Sequence, residues 1–98
     1  MNFADLITED RRLVLLRLLD LAPAAQANTY VLATGLREMG HDCSQDQVET
    51  DAVWLSEQGL VAVKELESVR VVTLTARGAD VAAGRARVPG VKRPVPGV

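Results

Sequence analysis

The residue types able to do chemistry are few in this chain, and most are badly spaced for it. His41 and Cys43 stand two apart and could supply two soft-metal ligands, but the sequence holds one His and one Cys, so one chain cannot complete a tetrahedral site. Turn residues are the stronger reading of that pair. The lone His has no Ser or Cys nucleophile arrangement around it, no Gly-rich phosphate loop is present, and the acidic residues are scattered as on solvated helix faces. Neither an enzyme nor a cofactor is expected. Two binding features remain. Between Ser44 and Gln58 lie Asp46, Glu49, Asp51 and Glu57 with no Lys or Arg, and Val53 and Trp54 sit among them. Near the end, Arg85, Arg87, Lys92 and Arg93 gather within nine residues.

The chain that must position these residues has 98 residues, enough for one modest core. Its composition is 48% hydrophobic with only Phe3, Tyr30 and Trp54 aromatic, so that core must be Leu, Val and Ala. The net charge of -2 conceals an asymmetry: residues 1–76 carry six basic against twelve acidic side chains, a balance of -6, and residues 77–98 carry five against one, +4. No signal-peptide pattern or membrane-length apolar run occurs, which makes the cytoplasm the expected compartment, and a single cysteine suits a reducing one.

Four helices and a hairpin follow from periodicity and caps. A first helix runs from a Thr8 cap to Ala22-Pro23, with Glu9 and Asp10 in its first turn. Seven of the nine residues from Leu13 to Leu21 are Leu or Val, too many for one buried stripe, so this helix needs a second cover. A second helix starts from Asn28, buries Tyr30, Val31, Leu32, Leu36 and Met39, and stops at Gly40. Ser44 with Gln47 forms a capping box for a third helix ending at Gly59, whose inward arc is Val48, Ala52 and Leu55 and whose outer side is Asp46, Thr50, Val53, Trp54 and Glu57. Residues 60–64 and 69–74 read as a β-hairpin, and Thr75 caps a weak helix over 76–86. These make one domain over residues 1–86, followed at 87–98 by a basic, Pro/Gly-rich arm that is extended and mobile unless bound.

This order, with Val48 to Val61 leading from a helix through Gly59 into a strand and Leu74-Thr75-Ala76-Arg77-Gly78 leading out of the hairpin, resembles bacterial winged helix-turn-helix regulators. The fold class expected is therefore mainly α with a small β-hairpin. The whole chain, including the tail from Gly84 to Pro94, also resembles a family of small proteins of Mu-like phages and prophages, ArsR-like at fold level; the paired-cysteine metal motif of ArsR-type repressors is absent. The resemblance implies a helix in the major groove, a wing on the DNA backbone and a two-fold dimer. On that basis Ser44, Gln45, Gln47 and Thr50 face base edges or phosphates, Lys64 and Arg70 serve the wing, and Arg85, Arg87, Lys92 and Arg93 meet the phosphate backbone.

Two functions therefore stand. One is a homodimeric phage regulator that binds double-stranded DNA, reads it with the third helix and draws its attraction from the basic arm. The other is a winged-helix adaptor without DNA, docking a phage or host protein through Val53, Trp54 and the acids around them. Leu15 and Leu19 are the expected dimer contacts, on the second face of the first helix.

Overall fold

The computed structural model describes residues 2–95. Among them, helix α1 (Phe3–Leu21), strand β1 (Gln26–Asn28), α2 (Thr29–Glu38), α3 (Gln45–Glu57), β2 (Val61–Leu66), β3 (Val69–Leu74) and α4 (Ala76–Ala83) follow in order. The result is an α+β domain of four helices and a three-stranded antiparallel sheet in the order β1-β3-β2. No helix among the described residues is long and apolar enough to cross a membrane.

Local caps set most boundaries. The side chains of Asn28, Ser44 and Thr75 accept hydrogen bonds from the amides of Val31, Gln47 and Gly78, as expected for the starts of α2, α3 and α4. The capping box at Ser44 is half made: the Gln47 side chain turns to Asp51 instead of reaching back. α1 begins earlier than expected, because Asn2 rather than Thr8 caps it by accepting from the Asp5 amide at 2.9 Å. α4 stops at Ala83, short of Ala86, at a left-handed Gly84. Its first turn lies so close to the backbone entering β2 that a Cβ on Gly78 would come 2.0 Å from the Leu60 carbonyl oxygen.

The hairpin pairs Val63 with Val72 and Glu65 with Arg70, and β1 adds a third strand on β3 through Ala27 and Val72. Nothing in Gln26-Ala27-Asn28 marks a strand; the open edge of β3 recruits it.

The burial of α2 differs from expectation. Leu32 and Leu36 are buried, together with Thr29 and Ala33, whereas Tyr30, Val31 and Met39 are exposed. Thr29 lies on the same face as Leu32, Ala33 and Leu36, and its hydroxyl accepts a hydrogen bond from Gln45 at 2.8 Å, which satisfies it there.

The dimer contacts are corrected outright: Leu15 and Leu19 have no exposed surface and lie inside the chain's own core. The second cover that α1 requires comes from the same chain. α1 packs against α2, β3 and α4, and the core it enters includes Val81 of α4 and Val88 and Val91 beyond it. The arm is accordingly folded back onto the domain. The Lys92 amide donates to the Glu9 carbonyl at 3.1 Å, and Arg12 Nη1 donates to the Gly90 carbonyl at 3.1 Å. The last three residues of the arm, 96–98, lie outside the described residues.

Candidate functional site

The inward arc of α3 is as its periodicity dictates, with Val48, Ala52 and Leu55 fully buried. The opposite side, Asp46, Glu49, Thr50, Val53, Trp54 and Glu57, joins Arg70 of β3 to line a shallow groove of about 550 Å³. A second hollow of about 220 Å³ continues past Glu49 and Arg70 to the hairpin tip at Glu65, Glu67 and Ser68. Together the two present the carboxylates of Asp46, Glu49, Glu57, Glu65 and Glu67 around the guanidinium of Arg70. Arg70 is itself engaged, 3.0 Å from Glu65 and 3.4 Å from Glu49.

Trp54 forms a wall of this groove and is half-buried because the domain packs its other side. The Arg12 guanidinium lies 3.8 Å from the ring centroid, and Gly90 of the arm backs the ring so closely that a Cβ there would come 2.8 Å from it. Gly90 also has φ +97°, a conformation that L side chains rarely adopt. Half of the expected partner-binding pair is thus partly used inside the chain, while Val53 remains 42% exposed.

Beneath the groove is a buried charge cluster that sequence reasoning missed. Asp51, grouped by the sequence with the outer acids, is 1% exposed and accepts two hydrogen bonds from Arg11, itself buried. Arg12 Nε lies 3.7 Å from the same carboxylate, and Gln47 donates to it at 3.5 Å. The cluster joins α1, α3 and, through Arg12 and Gly90, the arm. A signal existed: Asp51 stands three residues after Val48 and four before Leu55, on their side of the helix.

The other residues proposed for DNA do not converge. Ser44 is a cap, and Gln45 donates to Thr29 at 2.8 Å and to Glu49 at 3.3 Å, so both are occupied within the fold. Thr50 is exposed in the groove and Lys64 is exposed on β2. Arg85 pairs with Asp80 at 3.0 Å and Lys92 with Asp10 at 3.2 Å, while Arg87 and Arg93 are exposed. None of the four cations at the chain's end lines the groove.

His41 and Cys43 are engaged separately. His41 Nε2 is 2.7 Å from Asp10. Burial acts to raise the Asp10 pKa, but hydrogen bonds and charge from His41 and Lys92 outweigh it and hold the carboxyl below its ordinary value. Burial pushes the Cys43 thiol above its ordinary range, which makes it a poor nucleophile.

No family model matches the chain. It is 53% identical over 92 residues to the uncharacterized protein gp26 of Escherichia phage Mu, covering 94% of this chain and 95% of that protein. It is 44% identical over 78 residues to an uncharacterized protein of Haemophilus influenzae strain KW20 Rd, covering 79% of this chain and 76% of the other.

Proposed function

The chain belongs to the family of the phage Mu protein gp26, and from that premise we propose that it is a phage-type winged-helix adaptor that docks a basic partner protein through the outer face of α3. The observation that carries this reading is the groove of five carboxylates around one already paired arginine, with Val53 and Trp54 as its apolar wall. Such a surface attracts Lys- and Arg-rich segments and repels phosphates, and its aromatic wall supplies an anchor that charge alone lacks. Asp46 and Glu57 stand on one side of α3, about 16 Å apart along its axis, with Val53 between them, so a basic partner segment laid along the helix meets both carboxylates.

A DNA-binding regulator is the second reading. The helix, turn, helix and hairpin order favours it, as do the exposed cations Lys64, Arg87 and Arg93. Against it, the helix that would enter the groove carries no Lys or Arg and its glutamines are hydrogen-bonded internally. Most non-specific attraction to DNA comes from phosphate neutralisation.

One titration separates the two. Trp54 is the chain's single tryptophan and stands at the groove, so its fluorescence reports occupancy. At about 50 mM salt, where electrostatic binding is strongest, a Lys/Arg-rich peptide should change that emission and duplex DNA should not. Saturable DNA binding with no response to the peptide would establish the regulator instead.

A further inference from the structure

Glu49 and Arg70 line both the groove of about 550 Å³ on α3 and the hollow of about 220 Å³ at the hairpin tip, so the Arg70 side chain stands where the two meet. Strand period brings it there. Arg70 lies two residues before the buried Val72 and directly opposite Glu65, which itself lies two residues after Val63, packed against the core. The pair therefore projects from the core-facing side of the hairpin, past the end of the core and toward α3. There the Arg70 guanidinium bridges two elements, with Nη1 3.4 Å from Glu49 Oε1 on α3 and Nε 3.0 Å from Glu65 Oε1 on β2. Glu49 is held from behind: its Oε2 accepts from the Gln45 amide at 3.3 Å, and that amide also donates to the buried Thr29 at 2.8 Å. One oriented carboxylate and one at the open tip make a cradle that a guanidinium fills.

Given the docking role proposed for the outer face of α3, on which this rests, we infer that Arg70 is a built-in competitor for the groove. The partner docks by inserting an arginine of its own between Glu49 and Glu65, in the place Arg70 holds. Displacing Arg70 costs little, because the side chains of Arg70 and Glu65 are 36% and 68% exposed and ion pairs open to water contribute little to stability. Swinging it out also clears the junction of the two hollows. Arginine suits the cradle better than lysine, since a planar fork addresses carboxylates on two elements at once, whereas an ammonium is a point charge. Charge draws the second guanidinium in before it displaces the first: among the described residues, five carboxylates and one cation line the groove and the hollow. If Arg70 only braced the hairpin, its loss would weaken the fold and give the groove nothing.

The test is a peptide titration read from Trp54 emission at about 150 mM salt, where fields beyond about 8 Å are screened. An Arg-rich peptide, and the same peptide with every Arg replaced by Lys, are titrated into the intact chain, Arg70→Ala and Lys64→Ala. Lys64 carries the same charge on the other side of the hairpin, opposite Val71. Arg70→Ala should tighten the Arg peptide about three- to tenfold, a gain set by two surface ion pairs, and should lower the thermal midpoint no more than Lys64→Ala does. Lys64→Ala should change affinity less than about twofold, and the parent should prefer the Arg peptide to the Lys peptide. Equal gains from the two substitutions reduce the effect to net charge and overturn the exchange, as do weaker binding by Arg70→Ala and a Lys peptide bound as tightly as the Arg peptide. Unchanged affinity with a lowered midpoint makes Arg70 a brace of the hairpin and overturns it too. In each of those cases, peptide binding that Asp46→Asn with Glu57→Gln weakens keeps the docking face and removes only the exchange. Absence of peptide binding by both the parent and Arg70→Ala overturns the docking face and the exchange together.

Discussion

The two sides of α3 treat the same functional group in opposite ways. Inside, Asp51 is enclosed and neutralised by Arg11, with Arg12 at 3.7 Å. Outside, Asp46 and Glu57 stand in solvent, and Glu49 shares one arginine with Glu65. A carboxylate removed from water must be matched by a cation or be protonated, so folding itself demands the inner arginines. Water and salt screen the outer carboxylates, and folding demands nothing for them. The outer excess of negative charge is therefore free to be set by what the surface meets, and the inner cluster by what holds the surface in place.

Breaking the inner side should have the largest effect. Asp51→Ala leaves Arg11 buried without its partner and should cost about 3–5 kcal/mol, read as a fall in thermal or denaturant midpoint. An unchanged midpoint would mean that the cluster is not a structural anchor.

Gly90→Ala sharpens the comparison from the arm's side. Its Cβ would come 2.8 Å from the edge of the Trp54 ring and its φ is left-handed, so a loss of about 1–3 kcal/mol is expected, with a shift in Trp54 emission and easier proteolysis near residue 90. Emission and cleavage identical to the parent would show that the arm does not brace Trp54.

The outer side should behave in reverse. Asp46→Asn with Glu57→Gln should leave stability within about 0.5 kcal/mol of the parent. The same change should weaken binding of a Lys/Arg-rich peptide several-fold and flatten its salt dependence. Stability loss comparable to that of Asp51→Ala would erase the distinction between the two faces.

The smallest effect concerns the Asp10 junction between α1, His41 and the arm. Its carboxyl is depressed in the folded chain, so its contribution is complete above the unfolded value of about 3.9 and is lost as pH falls through the lower folded value. The difference in melting temperature between the parent and Asp10→Asn should be constant at neutral pH and vanish on acidification. A difference that persists in acid would assign the effect to packing.

What the sequence made legible was local. The caps at Asn28, Ser44 and Thr75 depend on a side chain and an amide three residues away, and the inward arc of α3 depends on helical period alone. What it hid was long-range. The excess of Leu on α1 correctly demanded a second cover, but Val88 and Val91 supply it from a Pro/Gly-rich stretch that has no periodicity of its own. α2 buries Thr29, Leu32, Ala33 and Leu36 at one-face helical spacing, but the inward threonine finds its partner in Gln45, sixteen residues on, and the apolar run Tyr30-Val31-Leu32 points to the wrong phase. At the candidate site the outer residues of α3 were legible, while Arg70 arrived through strand register and Asp51 left for the interior to meet Arg11, forty residues away.

A docking surface for a basic partner on the outer face of α3 is read by mapping a bound peptide onto the backbone. A Lys/Arg-rich peptide titrated at low salt into the isotope-labelled chain should move the amide signals of residues 46–57 and 65–70 and the Trp54 indole, leaving the outer side of α1 unmoved. Shifts confined to α1 or the arm would contradict it, as would duplex DNA moving the α3 signals where the peptide does not.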